Sequence, residues 1–221
     1  MSNLWYIIPA REGSKGFPKK NQFLFDHTAK KIPPEQKKRV IVTTDDETIK
    51  EKARKYGFVV YHRSKELSMD DTSIFDVMKD VIDNCPFIEK NDDIVLLYLV
   101  YPERTYDEIE KIYKFYKTHK AQSLLCSVPV KTHPYMCFHK MEKYRGSCVI
   151  EHDFYRRQDY PECFQISHYV CIFKKSELKK MQANLYNKDT FFYSIGETID
   201  VDRIEDLNLF NKVGEKTINV N

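Results

Sequence analysis

With 221 residues, 31% charged and 42% hydrophobic side chains, the chain suits one α/β domain carrying an insertion and is too apolar to stay disordered. Its 36 basic residues are nearly matched by 33 acidic ones, and a net charge of +3 does not predict a nucleic-acid partner. The longest apolar run, residues 94–101, is far below the ~20 residues of a membrane span, and no basic-then-apolar leader precedes the first strand. The six cysteines are scattered without a Cys-x-x-Cys pair, which argues against zinc and for free thiols in a reducing cytoplasm.

The first strand, expected over residues 5–10, runs into Arg11-Glu12-Gly13-Ser14-Lys15-Gly16-Phe17-Pro18-Lys19-Lys20-Asn21. Two glycines permit tight turns whose successive N–H groups can form an anion nest, and Arg11, Lys15, Lys19 and Lys20 add cations. Such a segment suits a triphosphate, and equally a solvated basic loop. It is not a P-loop, because Ser14 precedes Lys15 and no upstream Gly exists. A short helix is expected next at residues 26–32, ended by Pro33-Pro34. Strands follow at 39–44, 58–62, 94–99 and 123–130, alternating with helices at 46–56, 72–84 and 105–119. Asp45-Asp46-Glu47 and Thr105 supply N-caps, Gly57 a C-cap, and Ile109, Ile112, Tyr113 and Tyr116 share one helix face. The alternation predicts an α/β fold with a mostly parallel sheet and helices on both faces. Ligands of such sheets bind beyond the carboxyl ends of the strands.

Over residues 131–165 this rhythm fails: His133-Pro134, Gly146 and Pro161 interrupt it, and aromatics crowd it. So long a structureless stretch reads as an arm that packs on something, such as a second subunit. The α/β pattern resumes with a strand at 166–174, a helix at 176–185, a strand at 191–195 and a helix at 203–213, giving one domain over residues 1–221. Asp200 and Asp202 stand two apart in an extended stretch, so their side chains leave one face. That pair suits Mg²⁺, which takes one or two carboxylates plus phosphate oxygens and water. The alternative is that Asp202-x-x-Glu205 caps the last helix. His133, His139, His152 and His168 lack metal-ligand spacing.

Ile8-Pro9-Ala10-Arg11-x-Gly13-Ser14-Lys15-Gly16, followed by Lys20-Asn21, resembles the signature of the CMP-sialic acid synthetase (acylneuraminate cytidylyltransferase) family. Further stretches fall in that family's order: Val42 to Glu47; Arg63 with Glu66-Leu67-Ser68-Met69-Asp70; Pro102 to Thr105; Arg156 to Pro161; and Thr198 to Asp202. The resemblance covers residues 4 to about 213. It implies a Rossmann-like nucleotidyltransferase sheet with an inserted dimerisation arm, a homodimer, Mg²⁺ as cofactor, and CTP and a sugar acid as substrates. By position, Arg11, Lys15 and Lys20 inherit phosphate roles, with Arg11 and Lys20 stabilising the leaving pyrophosphate. Gly13, Ser14, Asn21, Arg63 and Thr72 inherit contacts to the nucleotide, and Asp200 and Asp202 the metal, Asp202 being counted as catalytic.

Three departures mark the chain. The segment between Asn21 and Val40 is shorter than the family's. The family's Leu-Leu-Gln-Pro-Thr-Ser-Pro-Leu-Arg is here Leu96-Leu97-Tyr98-Leu99-Val100-Tyr101-Pro102-Glu103-Arg104, and its Asn-Gly after the arm is Ser167-His168. Tyr98, Tyr101, Arg157, Ser167 and His168 are therefore the expected acceptor contacts, of which only Arg157 matches the family. The nucleotide half is kept and the acceptor half rewritten. This leaves a cytidylyltransferase for a sialic-acid-like sugar acid, another sugar nucleotidyltransferase, and an inactive nucleotide-binding homologue as the readings.

Overall fold

The structure, a computed structural model, describes residues 3–13 and 16–213. In chain order it contains β1 (Leu4–Pro9), α1 (Lys20–Ala29), β2 (Val40–Thr44), α2 (Glu47–Tyr56), β3 (Val59–His62), α3 (Ile74–Asn84) and β4 (Asp93–Leu96). Then come α4 (Tyr106–Thr118), β5 (Ser123–Pro129), β6 (Phe138–Lys140), β7 (Gly146–Cys148), β8 (Phe164–Lys174), β9 (Phe191–Ser194) and α5 (Ile204–Val213). A seven-stranded sheet has the order β3-β2-β1-β4-β8-β5-β9, and every neighbouring pair is parallel except the two that β8 makes. The chain winds outward from β1 through β2 to β3 and then returns to place β4 on the other side of β1. That reversal opens a crevice at the carboxyl ends of β1 and β4.

Strand alternation splits the core in two. Tyr6, Ile8, Val40, Val42, Val95, Leu97 and Ile172 face α1, α2, α4 and α5. Ile7, Ile41, Ile94, Leu96, Leu125, Cys171 and Phe173 face α3 and the residues after β8. Because both faces are covered, the strands read as nearly continuous apolar runs. The caps follow the expected chemistry. Asp46 accepts from the Ile49 N–H, Thr105 and Glu108 form a reciprocal capping box, and Gly57 ends α2 in the left-handed region at φ 80°.

Local structure departs from the sequence reading in four places. Helix α1 begins at Lys20, six residues before its expected start, because Lys19 adopts a left-handed conformation (φ 58°) that turns the chain directly into it. The central strand leaves the sheet after Leu96 because the buried Arg104 guanidinium takes the carbonyl of Tyr98 at 2.7 Å. The expected helix at 176–185 is a short 3₁₀ turn, Lys175–Lys180. Its anchors Leu178, Met181 and Leu185 reach the core through a loop closed by Gln182 N–H to Tyr186 O, with Leu185 at φ 60°. The arm is not structureless: β6 and β7 pair antiparallel, and Tyr135 stacks on His152 with ring centroids 4.3 Å apart. Phe138, Met141, Tyr144 and Tyr155 on the arm remain exposed. No helix among the described residues is long and apolar enough to cross a membrane.

Candidate active site

The loop after β1 is fastened to the end of β2. The Ala10 N–H donates to Thr43 O at 3.0 Å, and the Glu12 N–H donates to Asp45 Oδ1 at 2.8 Å. Asn21, on the first turn of α1, donates to the Arg11 carbonyl at 2.9 Å and fixes the loop from the other side. Gly16 packs closely there, since a Cβ would meet the backbone oxygen of Asp202 at 3.1 Å; one at Gly13 would meet nothing within 4 Å. The loop therefore lies directly against the Asp200–Asp202 segment, which is far from it in sequence. Lys20 completes the joint by donating to Asp202 Oδ1 at 2.6 Å.

The resulting cleft, about 390 Å³ in volume, brings together Arg11, Gly13, Lys20, Asn21, Arg63, Thr72, Tyr98, Tyr101, His168, Asp200 and Asp202. Ser14 and Lys15 lie outside the described residues. Ser167 is buried behind the wall, where its hydroxyl accepts from the Tyr169 N–H at 3.3 Å. Arg157 is exposed on the arm and does not line the cleft, because residues 157–159 form an isolated turn. His168 reaches the cleft because β8 is antiparallel and its pairing with β5 slips between Leu125 and Cys126, re-aiming residues 168–170. The ring of Tyr98 then meets that of His168 edge-on at 5.7 Å.

Arg63 is no solvated surface arginine. It is 6% exposed, and burial lowers its pKa, with the nearby charge of Asp45 opposing. Its Nε donates to Leu67 O at 2.7 Å, so it also holds the 66–68 turn. Arg11 pairs with Asp70 at 2.6 Å. Asp70 lies in the segment singled out from the sequence, but nothing in the sequence alone distinguished it. Asp202 does not cap α5. Asp206 does so, its Oδ2 accepting from the N–H groups of Asp202 (3.0 Å) and Arg203 (2.7 Å). Both carboxylates of the Asp pair are thus left to the cleft.

Asp200 is exposed at the mouth, yet its carboxyl is set among enough protein atoms that burial, then the charge of Asp202, pushes its pKa up to about 6. Its Oδ2 accepts from the Tyr101 hydroxyl at 3.2 Å. One oxygen of each carboxylate, Asp200 Oδ1 and Asp202 Oδ2, has no hydrogen-bond partner among the described residues. Two repelling carboxylates with open oxygens, facing Arg11, Lys20 and Arg63, suit a polyphosphate and its cation rather than an apolar ligand.

The family model for cytidylyltransferases matches residues 5–218. The chain belongs to the cytidylyltransferase family. The N-acylneuraminate cytidylyltransferase of Streptococcus agalactiae is 29% identical over 90% of this chain, which spans about half (50%) of that relative's length. Two shorter relatives align nearly end to end. Post-translational flagellin modification protein B of Campylobacter coli is 27% identical over 91% of each chain. The CMP-N,N'-diacetyllegionaminic acid synthase of Campylobacter jejuni is 26% identical over 91% of this chain and 90% of its own. Among solved structures, a CMP:2-keto-3-deoxy-manno-octonic acid synthetase complexed with CTP superposes with a TM-score of 0.67 at 13% identity, covering 96% and 98% of the two chains. The Francisella tularensis 2-C-methyl-D-erythritol 4-phosphate cytidylyltransferase gives 0.62 at 15% identity, covering 96% and 99%. These likenesses bear out the Rossmann-like nucleotidyltransferase fold expected for this chain.

Proposed function

We propose that the chain transfers CMP from CTP to the anomeric hydroxyl of a sialic-acid-like sugar acid, releasing pyrophosphate, in glycan biosynthesis. The observation that carries this reading is the facing of Arg11, Lys20 and Arg63 against the Asp200–Asp202 pair across one cleft at the sheet's switch point. In it, Arg11, Lys15 and Lys20 hold the triphosphate and stabilise charge on the leaving pyrophosphate, while Gly13, Ser14, Asn21, Arg63 and Thr72 contact the nucleotide. The anomeric oxygen attacks the α-phosphorus in line, the bond to pyrophosphate breaks, and the hydroxyl proton leaves to solvent. Catalysis rests on positioning and charge neutralisation, and no side chain is nominated as general base.

The Asp pair fits Mg²⁺ by its chemistry: two hard-oxygen ligands whose mutual repulsion a cation would relieve. Among the described residues no group of three or more His, Cys, Asp or Glu could hold a metal, so the remaining ligands would be phosphate oxygens and water. Bound there, the ion would neutralise phosphate charge and acidify the attacking hydroxyl. The decisive assay is pyrophosphate release from each of the four nucleoside triphosphates with a panel of sugar acids. Release from CTP alone is expected; release from another nucleotide, or from none, overturns the reading.

The acceptor is not ordinary N-acetylneuraminate. Where the family's strand end offers amide and hydroxyl groups, this cleft offers the Tyr98 ring backed by His168, with burial pushing the Tyr98 phenol well up so that it stays protonated. The name of one end-to-end relative, a CMP-N,N'-diacetyllegionaminic acid synthase, also supports a different nonulosonic acid. Each lost polar contact costs ~1–3 kcal/mol, so kcat/KM for N-acetylneuraminate should fall about a hundredfold or more below that of the preferred sugar. Equal values for N-acetylneuraminate and the best acceptor of the panel would refute this.

The reading includes a homodimer in the cytoplasm, where the six free cysteines stay reduced. The arm's exposed Phe138, Met141, Tyr144 and Tyr155 are apolar groups suited to a second copy. A role for Arg157 in holding the acceptor carboxylate requires the arm to reach a cleft, its own or the second copy's. Light scattering at micromolar concentration should give twice the chain mass; a monomer there rules the dimer out.

A further inference from the structure

We infer that Tyr101 is a positioning residue for Asp200, fixing the metal-binding carboxylate rather than contacting the acceptor; this rests on the reading of Asp200 and Asp202 as the Mg²⁺ ligands. The two segments are tied together at three points. Val201 N–H donates to Val100 O at 2.9 Å, Ile199 N–H to Glu103 Oε1 at 3.2 Å, and the Tyr101 hydroxyl to Asp200 Oδ2 at 3.2 Å. Only the last touches the carboxylate itself. By engaging Oδ2 it sets the plane of the group and leaves Oδ1 turned to a ligand.

The phenol is itself immobilised. Tyr101 is 5% exposed, its ring meets Tyr169 edge-on at 5.3 Å, and the Arg104 guanidinium lies 5.9 Å from its centroid. Arg104 is 3% exposed and bound to the carbonyls of Tyr98 and Tyr169, so the ring rests on a fixed support. Asp202 is held differently. Its partner is the Lys20 ammonium, which the same cleft offers to a triphosphate and which can turn to one when it binds. One carboxylate is pinned by a buried ring and the other is free to adjust, an arrangement that pre-sets a metal site before nucleotide arrives.

Tyr101→Phe keeps the ring and removes the hydroxyl, and with it the donation to Asp200 and the contact with the Ser167 side chain. The probe is Mn²⁺, titrated by electron paramagnetic resonance into protein free of CTP and acceptor. The parent should bind it, Tyr101→Phe about tenfold more weakly, and Asp200→Asn with Asp202→Asn not measurably. A second measurement separates positioning from acceptor contact. In steady state the half-saturating Mg²⁺ should rise by the same factor, while the acceptor KM at saturating Mg²⁺ stays unchanged. Mn²⁺ affinity within about twofold of the parent, or a raised acceptor KM with an unchanged Mg²⁺ requirement, overturns the inference. If the double Asn variant binds Mn²⁺ as the parent does, the metal reading itself falls and takes this inference with it. If that variant loses Mn²⁺ and Tyr101→Phe does not, only the role of Tyr101 is lost.

Discussion

Replacing Asp200 and Asp202 together by Asn is expected to abolish turnover, a fall in kcat of at least ~10³-fold, while the fold survives. The size follows from what the pair would hold. A cation held by Asp200 and Asp202 would contribute several kcal/mol of transition-state stabilisation, and each 1.36 kcal/mol lost is about tenfold in rate. The stability effect should run the other way. Asp200 sits with its pKa raised to about 6 by burial and by Asp202, so the folded protein holds two carboxylates at a cost that Asn removes. The unfolding midpoint should therefore stay level or rise as activity disappears. Turnover undiminished in the double variant would sink the metal assignment, and a collapsed unfolding midpoint would show that the pair supports the fold instead.

The parts of this site that were legible in the sequence are those whose chemistry is local. The loop after β1 announces itself by two glycines and a run of cations, and the Asp pair by its spacing on an extended stretch. The parts that were not legible depend on what the chain brings from elsewhere. Asp202 could equally have been a cap, and the question was decided by Asp206 folding back on the start of α5. Arg63 looked like any surface arginine until the 66–68 turn closed over it. Glu103 and Arg104, read only as part of a motif, turn out to fasten the 98–103 turn. Arg104 takes the Tyr98 carbonyl, and Glu103 takes the N–H of Ile199. Such anchoring is invisible to periodicity, because Glu103 and Ile199 stand 96 positions apart and Arg104 also reaches the Tyr169 carbonyl, 65 positions on.

The same holds for the residues expected to meet an acceptor. Tyr98, Tyr101, Ser167 and His168 were grouped because each replaces a family residue, but the fold gives them separate tasks. Tyr98 and His168 form an edge-on wall of the cleft, Ser167 supports the β8 irregularity from behind, and Tyr101 is spent on Asp200. Which of the two substituted positions on β8 reaches the cleft depends on a slip in strand pairing at Leu125–Cys126, and no local pattern announces it.

At the opposite end of the sheet, Asp93→Ala is expected to cost about 3 kcal/mol of stability, lowering the unfolding midpoint by roughly 10 °C for a chain of this size. Asp93 opens β4 with a fully buried side chain. Its carboxylate accepts from the hydroxyls of Tyr113 (2.9 Å) and Tyr116 (3.0 Å) on α4, from Lys117 Nζ (2.9 Å) and from Lys174 Nζ on β8 (3.3 Å). One group thereby joins a helix and two strands. Burial alone would raise its pKa, but the hydrogen bonds from Lys117 and Tyr113 and the charge of Lys174 outweigh it and hold the carboxyl below the usual range. Truncation leaves two phenols without their acceptor and two ammonium groups facing inward. Lys117 is partly solvated and recovers water, which places the cost at the low end of the range for broken buried pairs. The sign of the pH dependence follows from the lowered pKa. The stabilisation is complete above the ordinary Asp value of ~3.9 and disappears as pH falls below it through the folded-state value. Urea midpoints of parent and variant should thus stand furthest apart at pH 7 and converge as pH is taken below about 4, with kcat/KM at low temperature unchanged because the cleft lies at the far ends of the strands. A gap that stays constant from neutral pH to about pH 3 would show that the loss comes from packing and not from the charge.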